Sequence, residues 1–122
     1  MVPTVETERL ILRGYERADF PVFARMWADE RVVRPLGIAP LSEEEAWGRF
    51  CRYVGHWALL GFGTWALVEK ASGEIVGEMG LFDFRRDLGP DYAGDPEQGW
   101  ALAVDAQGKG YATEAALAAL DW

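Results

Sequence analysis

The segment Gln107-Gly108-Lys109-Gly110-Tyr111-Ala112 carries the strongest structural signal in this chain. An almost wholly apolar strand is predicted just before it, over residues 99–104, and an alanine-rich helix begins at about Gly110. The glycines let the backbone turn and let a ligand approach without meeting a Cβ atom. The helix would also direct its first unpaired N–H groups, and the positive end of its dipole, at that turn. Such a geometry can bind pyrophosphate through backbone donors, and Lys109 could add a positive charge. The alternative is that the glycines only make a tight turn between strand and helix.

Two better-known phosphate loops are excluded by the same residues. A Walker A loop needs Ser or Thr after its lysine, whereas Gly110 follows Lys109. Ala103 also stands where the first glycine of that loop would be. A dinucleotide-binding fingerprint needs three spaced glycines after the first strand of a βαβ unit, and this chain has neither feature. The segment therefore has to be interpreted from its surroundings.

The predicted elements around the segment define an α+β domain with an antiparallel meander in the middle. Asp19 is the expected N-cap of the first helix, and Ser42 with Glu45 forms a capping box for the second. The second helix is expected to bury one face, made of Ala46, Phe50, Tyr53, Val54, Trp57 and Leu60. In chain order we predict a strand at 7–13, a helix ending near Ala28, a loop at 31–40, a helix from Glu43 to a stop at Gly61, a hairpin of strands at 64–69 and 74–84, a loop at 87–96, the strand at 99–104 and the last helix. The strand at 99–104 is expected to be central, because it is apolar on both faces.

Composition limits the classes of partner and suggests a single domain over residues 1–122. The formal net charge of −8 argues against a nucleic-acid partner. The charge is compatible with a positively charged substrate, although a role in solubility is the favoured explanation. The single cysteine, Cys51, permits neither an intramolecular disulfide nor a cysteine-rich zinc site, so no metal is expected. A secretory signal and an apolar run of the ~20 residues that a membrane helix needs are both missing, so a cytoplasmic location is expected.

Two motifs resemble a known family. Gln107-x-x-Gly110-x-Ala112 resembles the Gln/Arg-x-x-Gly-x-Gly/Ala signature with which GNAT N-acetyltransferases hold the pyrophosphate of acetyl-CoA. The opening Thr7-Glu8-Arg9-Leu10-Ile11-Leu12-Arg13, and the loop from Gly108 to Ala115, are similar to those of the RimJ/RimL-like branch. The resemblance covers essentially the whole chain. It implies the GNAT fold, whose mixed central sheet is flanked by helices, and transfer of acetyl from acetyl-CoA to a primary amine on a protein N-terminus or a small molecule.

The resemblance also implies which residues bind acetyl-CoA. The backbone of the strand at 99–104 would pair with the pantetheine arm and place the thioester carbonyl beside it. Amides from 108 to 112, with the hydroxyl of Thr113, would hold the pyrophosphate. The implied cofactor-binding residues are therefore Trp100, Ala101, Leu102, Gln107, Gly108, Lys109, Gly110, Tyr111, Ala112 and Thr113.

Acetyl transfer needs a neutral amine, so a general base is expected near the thioester. Glu97, just before the strand at 99–104, is the candidate, acting directly or through a water, and its alternative is an ordinary loop carboxylate. Glu78 and Asp83 are the other candidates, whereas a structural role is favoured for Glu114. The acids at 87–97 could attract an amine or serve as turn residues.

The remaining candidates are interpreted as structural or peripheral. His56, the single histidine, is expected at the surface or in the core, and a nucleophilic role for Cys51 is not favoured. Trp47 and Trp57, with the loop at 31–40, are candidates for the acceptor side.

In the family the fold continues past the last predicted helix, with strands that complete the cofactor slot and often with the acid that protonates the departing thiolate. We therefore expect a truncated chain, or a second chain that supplies the sheet edge in a homodimer. The alternative to an enzyme is a non-catalytic acyl-CoA-binding or dimerising module.

Overall fold

The computed structural model describes residues 2–82 and 97–122, and of Glu97 the backbone alone. Its five strands form one sheet in the order β1-β2-β3-β4-β5, and every neighbouring pair is antiparallel. This confirms the α+β class and the antiparallel meander. The elements are β1 (Val5–Glu6), β2 (Leu10–Arg13), α1 (Phe20–Ala28), α2 (Glu30–Val33), α3 (Glu43–Leu60), β3 (Thr64–Glu69), β4 (Ile75–Phe82), β5 (Glu97–Leu102) and α4 (Tyr111–Asp121).

The strand predicted at 7–13 begins only at Leu10, because a tight turn precedes it. Val5 and Glu6 pair back onto Leu12 and Ile11, so β1 and β2 form a short hairpin. Thr7 makes the turn, because its hydroxyl accepts from the amide of Leu10 at 3.0 Å and its own amide donates to the Leu10 carbonyl at 2.9 Å. A threonine hydroxyl that satisfies nearby backbone groups competes with strand pairing at that point.

The expected loop at 31–40 is partly helical. Glu30–Val33 forms α2, and Arg34–Leu36 forms a 3₁₀ turn. The carboxylate of Asp29 accepts from the amide of Arg31 at 2.9 Å, and this N-cap starts the helix. The prolines at 35 and 40 had suggested a loop, but Pro35 occupies a first-turn position where its missing N–H costs little.

Asp19 does not cap the first helix with its side chain. Its carboxylate instead receives two hydrogen bonds from the guanidinium of Arg13, at 2.8 and 3.0 Å, and one from the amide of Glu16 at 2.7 Å. A bidentate charged pair is stronger than a single cap bond, so it determines where this side chain lies. Asp19 therefore occupies the predicted N-cap position of α1, but its side chain makes no capping bond there.

Helix α3 begins and ends as predicted. Ser42 Oγ accepts from the amide of Glu45 at 3.1 Å, and the Glu45 carboxylate accepts from the amide of Ser42 at 2.9 Å. Gly61 is the C-cap residue. The buried face is narrower than expected, because Val54 is 51% exposed and Leu60 is also exposed. The buried residues recur about once per helical turn along one side of the helix: Ala46, Phe50, Tyr53, and the neighbours His56 and Trp57.

The sheet separates two apolar clusters. One cluster packs Leu10, Leu12, Trp65, Leu67 and Met79 against α4. The other joins the buried residues of α1 and α2 to Ala101 and to three residues of α3, namely Ala46, Phe50 and Tyr53. Successive strand residues face opposite sides, so Met79 joins the first cluster while Glu78 is buried beneath α1 and α3.

Strand β5 lies at the edge of the described sheet rather than in its centre. It pairs with β4 from Phe82↔Glu97 to Gly77↔Leu102, and residues 104–106 continue as a 3₁₀ turn. Trp100 is 52% exposed, so apolar composition did not require burial on both faces. Among the helices in the two described ranges, none combines the length and apolar character needed to cross a membrane.

Candidate functional site

The loop between β5 and α4 has the backbone conformation that the glycines predicted. Gly108 and Gly110 have φ values of +80° and +82°, in the left-handed region where a Cβ atom is strained. Gly110 occupies the N-cap position of α4, which begins at Tyr111. The two glycines therefore turn the chain directly from the sheet edge into the first turn of the helix.

The amides of this loop are available to a ligand. Within the part of the chain that the structure describes, the backbone N–H groups of residues 108–113 donate no hydrogen bond to the protein. Residues 107–110 are exposed to solvent. Such a run of open donors at a helix N-terminus is suited to the oxygens of a phosphate group.

Side chains anchor the loop from the opposite side. The phenol of Tyr111 is buried, donates to Glu69 at 2.5 Å and lies under the guanidinium of Arg9, 4.5 Å from the ring centre. The amide of Gln107 donates to the carbonyl of Leu102 at 3.2 Å. Tyr111 can therefore offer a ligand only its backbone, and Gln107 connects the loop to the end of β5.

Glu114 joins the loop to the start of the chain. Its carboxylate accepts from the hydroxyl of Thr7 at 2.5 Å and from the amide and Nε of Arg9, at 2.9 and 2.7 Å. Arg9 also donates from Nη1 to the carbonyl of Lys109 at 2.8 Å. Burial alone would raise the pKa of Glu114, but these bonds outweigh it and lower the pKa. This is the structural role expected for Glu114.

A cavity of about 220 Å³ lies between α1, α3 and the β4–β5 pair. Glu78, 5% exposed, contributes a carboxylate to its wall. Trp27 Nε1 donates to Glu78 Oε1 at 3.1 Å, the Tyr53 hydroxyl donates to Oε2 at 2.6 Å, and the Tyr15 hydroxyl lies 3.3 Å from Oε1. Gly99, Trp100 and Ala101 of β5 line the same cavity, so the carboxylate and the strand edge face one space.

Burial raises the pKa of Glu78 above its ordinary value, although the hydrogen bond from Tyr53 and the charge of Arg49 oppose the shift. Burial also raises the pKa of Tyr15 and of Tyr53 well above that of a free phenol. Both phenols therefore stay protonated and keep donating to the carboxylate. A buried carboxylate with a raised pKa that lines a cavity is a candidate general base.

The raised pKa of Glu78 makes stability depend on pH. Because the folded-state pKa lies above 4.5, the folded protein binds this proton more tightly than the unfolded chain does. The stabilisation is therefore complete below pH 4.5 and is lost as the pH rises through the folded-state pKa. Relative to Glu78→Gln, we expect the wild-type free energy of unfolding to fall as the pH rises from 4.5 through the folded-state pKa of Glu78. Urea unfolding of the wild type and Glu78→Gln at several pH values measures this change, and Glu74→Gln, at an exposed position, is the control. A stability difference between wild type and Glu78→Gln that does not vary with pH would contradict the prediction.

Residues 9–122 match the family model for the acetyltransferase (GNAT) domain. The chain belongs to the GNAT acetyltransferase family. Two solved structures agree with its fold: an acetyltransferase assigned to the GnaT family from Bordetella pertussis and an acetyltransferase from Agrobacterium tumefaciens. The first is 36% identical, with a TM-score of 0.84 over 98% of this chain and 70% of that one. The second is 35% identical, with a TM-score of 0.83 over all of this chain and 67% of that one.

A curated relative is similar over most of this chain but is longer. The uncharacterized N-acetyltransferase p20 of Bacillus licheniformis is 27% identical over 120 residues, which is 98% of this chain. The chain spans 65% of the length of that relative. The GNAT fold expected from the sequence is confirmed.

GNAT acetyltransferases use acetyl-CoA, and the loop of this chain fits its pyrophosphate. An added Cβ at Gly108 would meet nothing within 4 Å, so this side of the loop is open. Lys109 Nζ is 3.9 Å from Glu69 on a half-exposed side chain, which leaves its charge close to the loop. Of the predicted cofactor residues, Gln107 to Thr113 lie together in the loop and first turn of α4, while Trp100, Ala101 and Leu102 lie on β5.

The other predicted site residues lie in three places. Glu97 pairs with Phe82 at the far end of β5; its side chain, like Asp83 and the acids at 87, 91 and 95, lies outside the described residues, so its catalytic role stays a prediction. His56 is buried, with Nδ1 2.8 Å from the carbonyl of Phe62, and Cys51 is exposed on α3. In the described ranges, no group of His, Cys, Asp and Glu is arranged to hold a metal.

The residues predicted for the acceptor side do not lie together. Trp57 is buried in the first cluster, where its Nε1 donates to the carbonyl of Thr64, and Trp47 lies in a separate surface depression with Phe20. Leu36 and Ile38, from the segment at 31–40, do line the Glu78 cavity. Sequence reasoning missed Tyr15, Trp27 and Arg49 as residues around Glu78. The spacing of Arg49 and Tyr53, one turn apart on α3, was the available signal.

Proposed function

We propose that this protein transfers acetyl from acetyl-CoA to a primary amine, by direct attack in a ternary complex. The observation that carries the proposal is that a buried carboxylate and a loop with open amides both adjoin strand β5. The Glu78 cavity opens onto β5, and β5 leads into the loop with open amides. The opening at 7–13 supports the RimJ/RimL-like branch, in which the acceptor is typically a protein N-terminal amine, although related proteins take small amines.

Binding of acetyl-CoA is assigned to β5 and the loop after it. The amides of residues 108–113 would hold the pyrophosphate, with Lys109 adding positive charge. The outer edge of β5 would pair with the pantetheine arm, so that the thioester carbonyl lies near Trp100, Ala101 and Leu102. Bound acetyl-CoA supplies an activated acyl group with a thiol as leaving group. Backbone amides of an edge strand can stabilise the negative charge that develops on the carbonyl oxygen.

We assign the removal of a proton from the acceptor ammonium to Glu78. An amine is mostly protonated near neutral pH, so an ammonium proton has to leave before the nitrogen can attack. Glu78 can take that proton, directly or through a water, because its carboxylate lines the cavity and burial raises its pKa, which makes it a stronger base than an exposed glutamate. The nitrogen then bonds to the acetyl carbon while the carbon–sulfur bond breaks and the sulfur leaves as CoA thiolate. The nitrogen, now positively charged, loses its second proton to solvent, and the thiolate gains a proton from solvent, which gives the amide and CoA thiol. Burial of the carboxylate and its position in the cavity beside β5 support Glu78 in this role.

Two measurements test the function together. Calorimetry should detect CoA binding with one site, and a thiol-release assay with acetyl-CoA should detect turnover with at least one member of a panel of peptides and small amines. CoA binding without turnover across the panel would favour the non-catalytic acyl-CoA-binding module. Failure to bind CoA would exclude both the acetyltransferase and the non-catalytic acyl-CoA-binding module.

A further inference from the structure

Arg49 differs from the paired arginines of the described chain in having no carboxylate partner. It lies half-buried on α3, in the wall of the Glu78 cavity. Arg9, Arg13, Arg31 and Arg34 each form an ion pair with an acidic residue. Within the described ranges Arg49 forms none, and Glu78 is connected to it only through the Tyr53 hydroxyl. The charge of Arg49 does act on Glu78 through space, but no carboxylate among the described residues contacts the guanidinium directly. A carboxylate in direct contact would offset the loss of hydration of this partly buried cation.

The surroundings of Arg49 fix its orientation. Its Nε donates to the Tyr53 hydroxyl at 2.9 Å, and its guanidinium carbon lies 4.0 Å from the centre of the Trp27 ring. These contacts occupy one edge and one face of the planar group. The two Nη groups make no hydrogen bond with the described residues, and they form the fork that binds a carboxylate through two parallel bonds.

Resting on the proposed acetyl transfer, we propose that Arg49 binds a carboxylate of the acceptor, so that the acceptor is a small zwitterionic amine of the amino-acid type. Glu78 receives the amine and Arg49 the carboxylate. The Tyr53 hydroxyl bonds to both side chains, so the two charged groups are close together, as they are on an α-amino acid. Leu36, Ile38 and Phe82 line the same cavity and give an apolar wall for a side chain.

Size and charge agree with this class of acceptor. The cavity of about 220 Å³ has room for about seven water molecules, which is comparable to one small amino acid. A zwitterion has no net charge, so the formal charge of −8 does not repel it as it would an anion. A protein N-terminus has no carboxylate on the carbon that carries its amine. An acceptor of that kind would therefore leave the two Nη groups of Arg49 without a carboxylate partner.

The test compares matched pairs of acceptors that differ only in the carboxylate. Apolar amino acids and their amides, such as leucine and leucinamide, are assayed by CoA-thiol release with the wild type, Arg49→Gln and Arg49→Lys. We expect the ratio of kcat/KM for the acid to kcat/KM for the amide to fall at least about tenfold in Arg49→Gln, with partial recovery in Arg49→Lys. Because each ratio is compared between proteins, the different amine basicities of acid and amide cancel. Arg52→Gln removes the same charge from an exposed position on α3 and should leave the ratio unchanged.

Three results would overturn the inference. An equal loss for acid and amide in Arg49→Gln would show that Arg49 only positions Tyr53 and Glu78. Wild-type turnover of amides or peptides that equals or exceeds turnover of the acids, after allowance for amine basicity, would exclude carboxylate recognition while leaving acetyl transfer intact. Absence of turnover with every amine, despite CoA binding, would instead remove the proposed function on which the inference rests.

Discussion

Glu78→Gln is expected to lower kcat/KM for acetyl transfer by about 10²- to 10⁴-fold, the range typical of a lost general base. Glutamine has the shape of glutamate, but it cannot take a proton from the acceptor ammonium. Its carbonyl oxygen can still accept from Trp27 Nε1, and the Tyr53 hydroxyl can rotate to accept from the new amide group. The fold and the CoA loop, which lies beyond the other end of β5, should therefore remain intact.

Steady-state thiol release at saturating acetyl-CoA measures the loss, and calorimetry with CoA shows whether the loop is intact. Glu97→Gln is the matched comparison, because Glu97 is the base that the sequence alone suggested. If Glu97→Gln loses activity and Glu78→Gln does not, the assignment of the base to the cavity is wrong. A parallel rise in the dissociation constant for CoA in Glu78→Gln would indicate a structural defect instead.

The features predicted correctly depend on residues close together in the sequence. The capping box of Ser42 and Glu45 spans three residues, and each partner satisfies a backbone group of the other. Gly108 and Gly110 supply left-handed conformations that other residues rarely adopt. The meander follows from alternating strands and short turns. Local chemistry of this kind can be recognised without knowledge of the tertiary structure.

The Glu78 site could not be predicted in the same way, because distant parts of the chain form it. Trp27 is 51 positions from Glu78, and Tyr53 is 25 positions away. In the sequence each looks like an ordinary apolar residue of an amphipathic helix. Only the register of β4, which directs Glu78 toward α1 and α3, brings their polar atoms to one carboxylate. A long-range hydrogen-bond network of this type leaves no periodic signal.

The two motifs that suggested the family turn out to be in contact. Thr7 and Arg9, from the opening motif, bind Glu114, from the motif after the loop. Arg9 also holds the carbonyl of Lys109, between the two glycines. The opening segment therefore stabilises the loop conformation that exposes the amides, which gives a physical reason for both motifs to occur in one chain.

This contact makes Gly110 sensitive to substitution. In Gly110→Ala the new Cβ would lie 3.4 Å from Arg9 Nη2, and a non-glycine residue at φ +82° is strained by about 1–2 kcal/mol. Relief of the strain needs a change in the backbone, which would turn the amides away from their common direction and disturb the Arg9 bond to Lys109. We therefore expect at least about a tenfold increase in the dissociation constant for CoA, because charge-assisted bonds from several amides are lost.

Calorimetry with CoA and urea unfolding together separate the binding effect from general damage. Gly55→Ala is the matched control: Gly55 lies inside α3 with an ordinary φ, and an added Cβ there meets nothing within 4 Å. That variant should gain about 0.5–1 kcal/mol of stability and bind CoA like the wild type. If Gly110→Ala instead binds CoA with wild-type affinity while losing the expected stability, the loop is a structural turn and the pyrophosphate is held elsewhere. Loss of affinity in a folded Gly110→Ala protein would support the assignment of the phosphate site to the amides of residues 108–113.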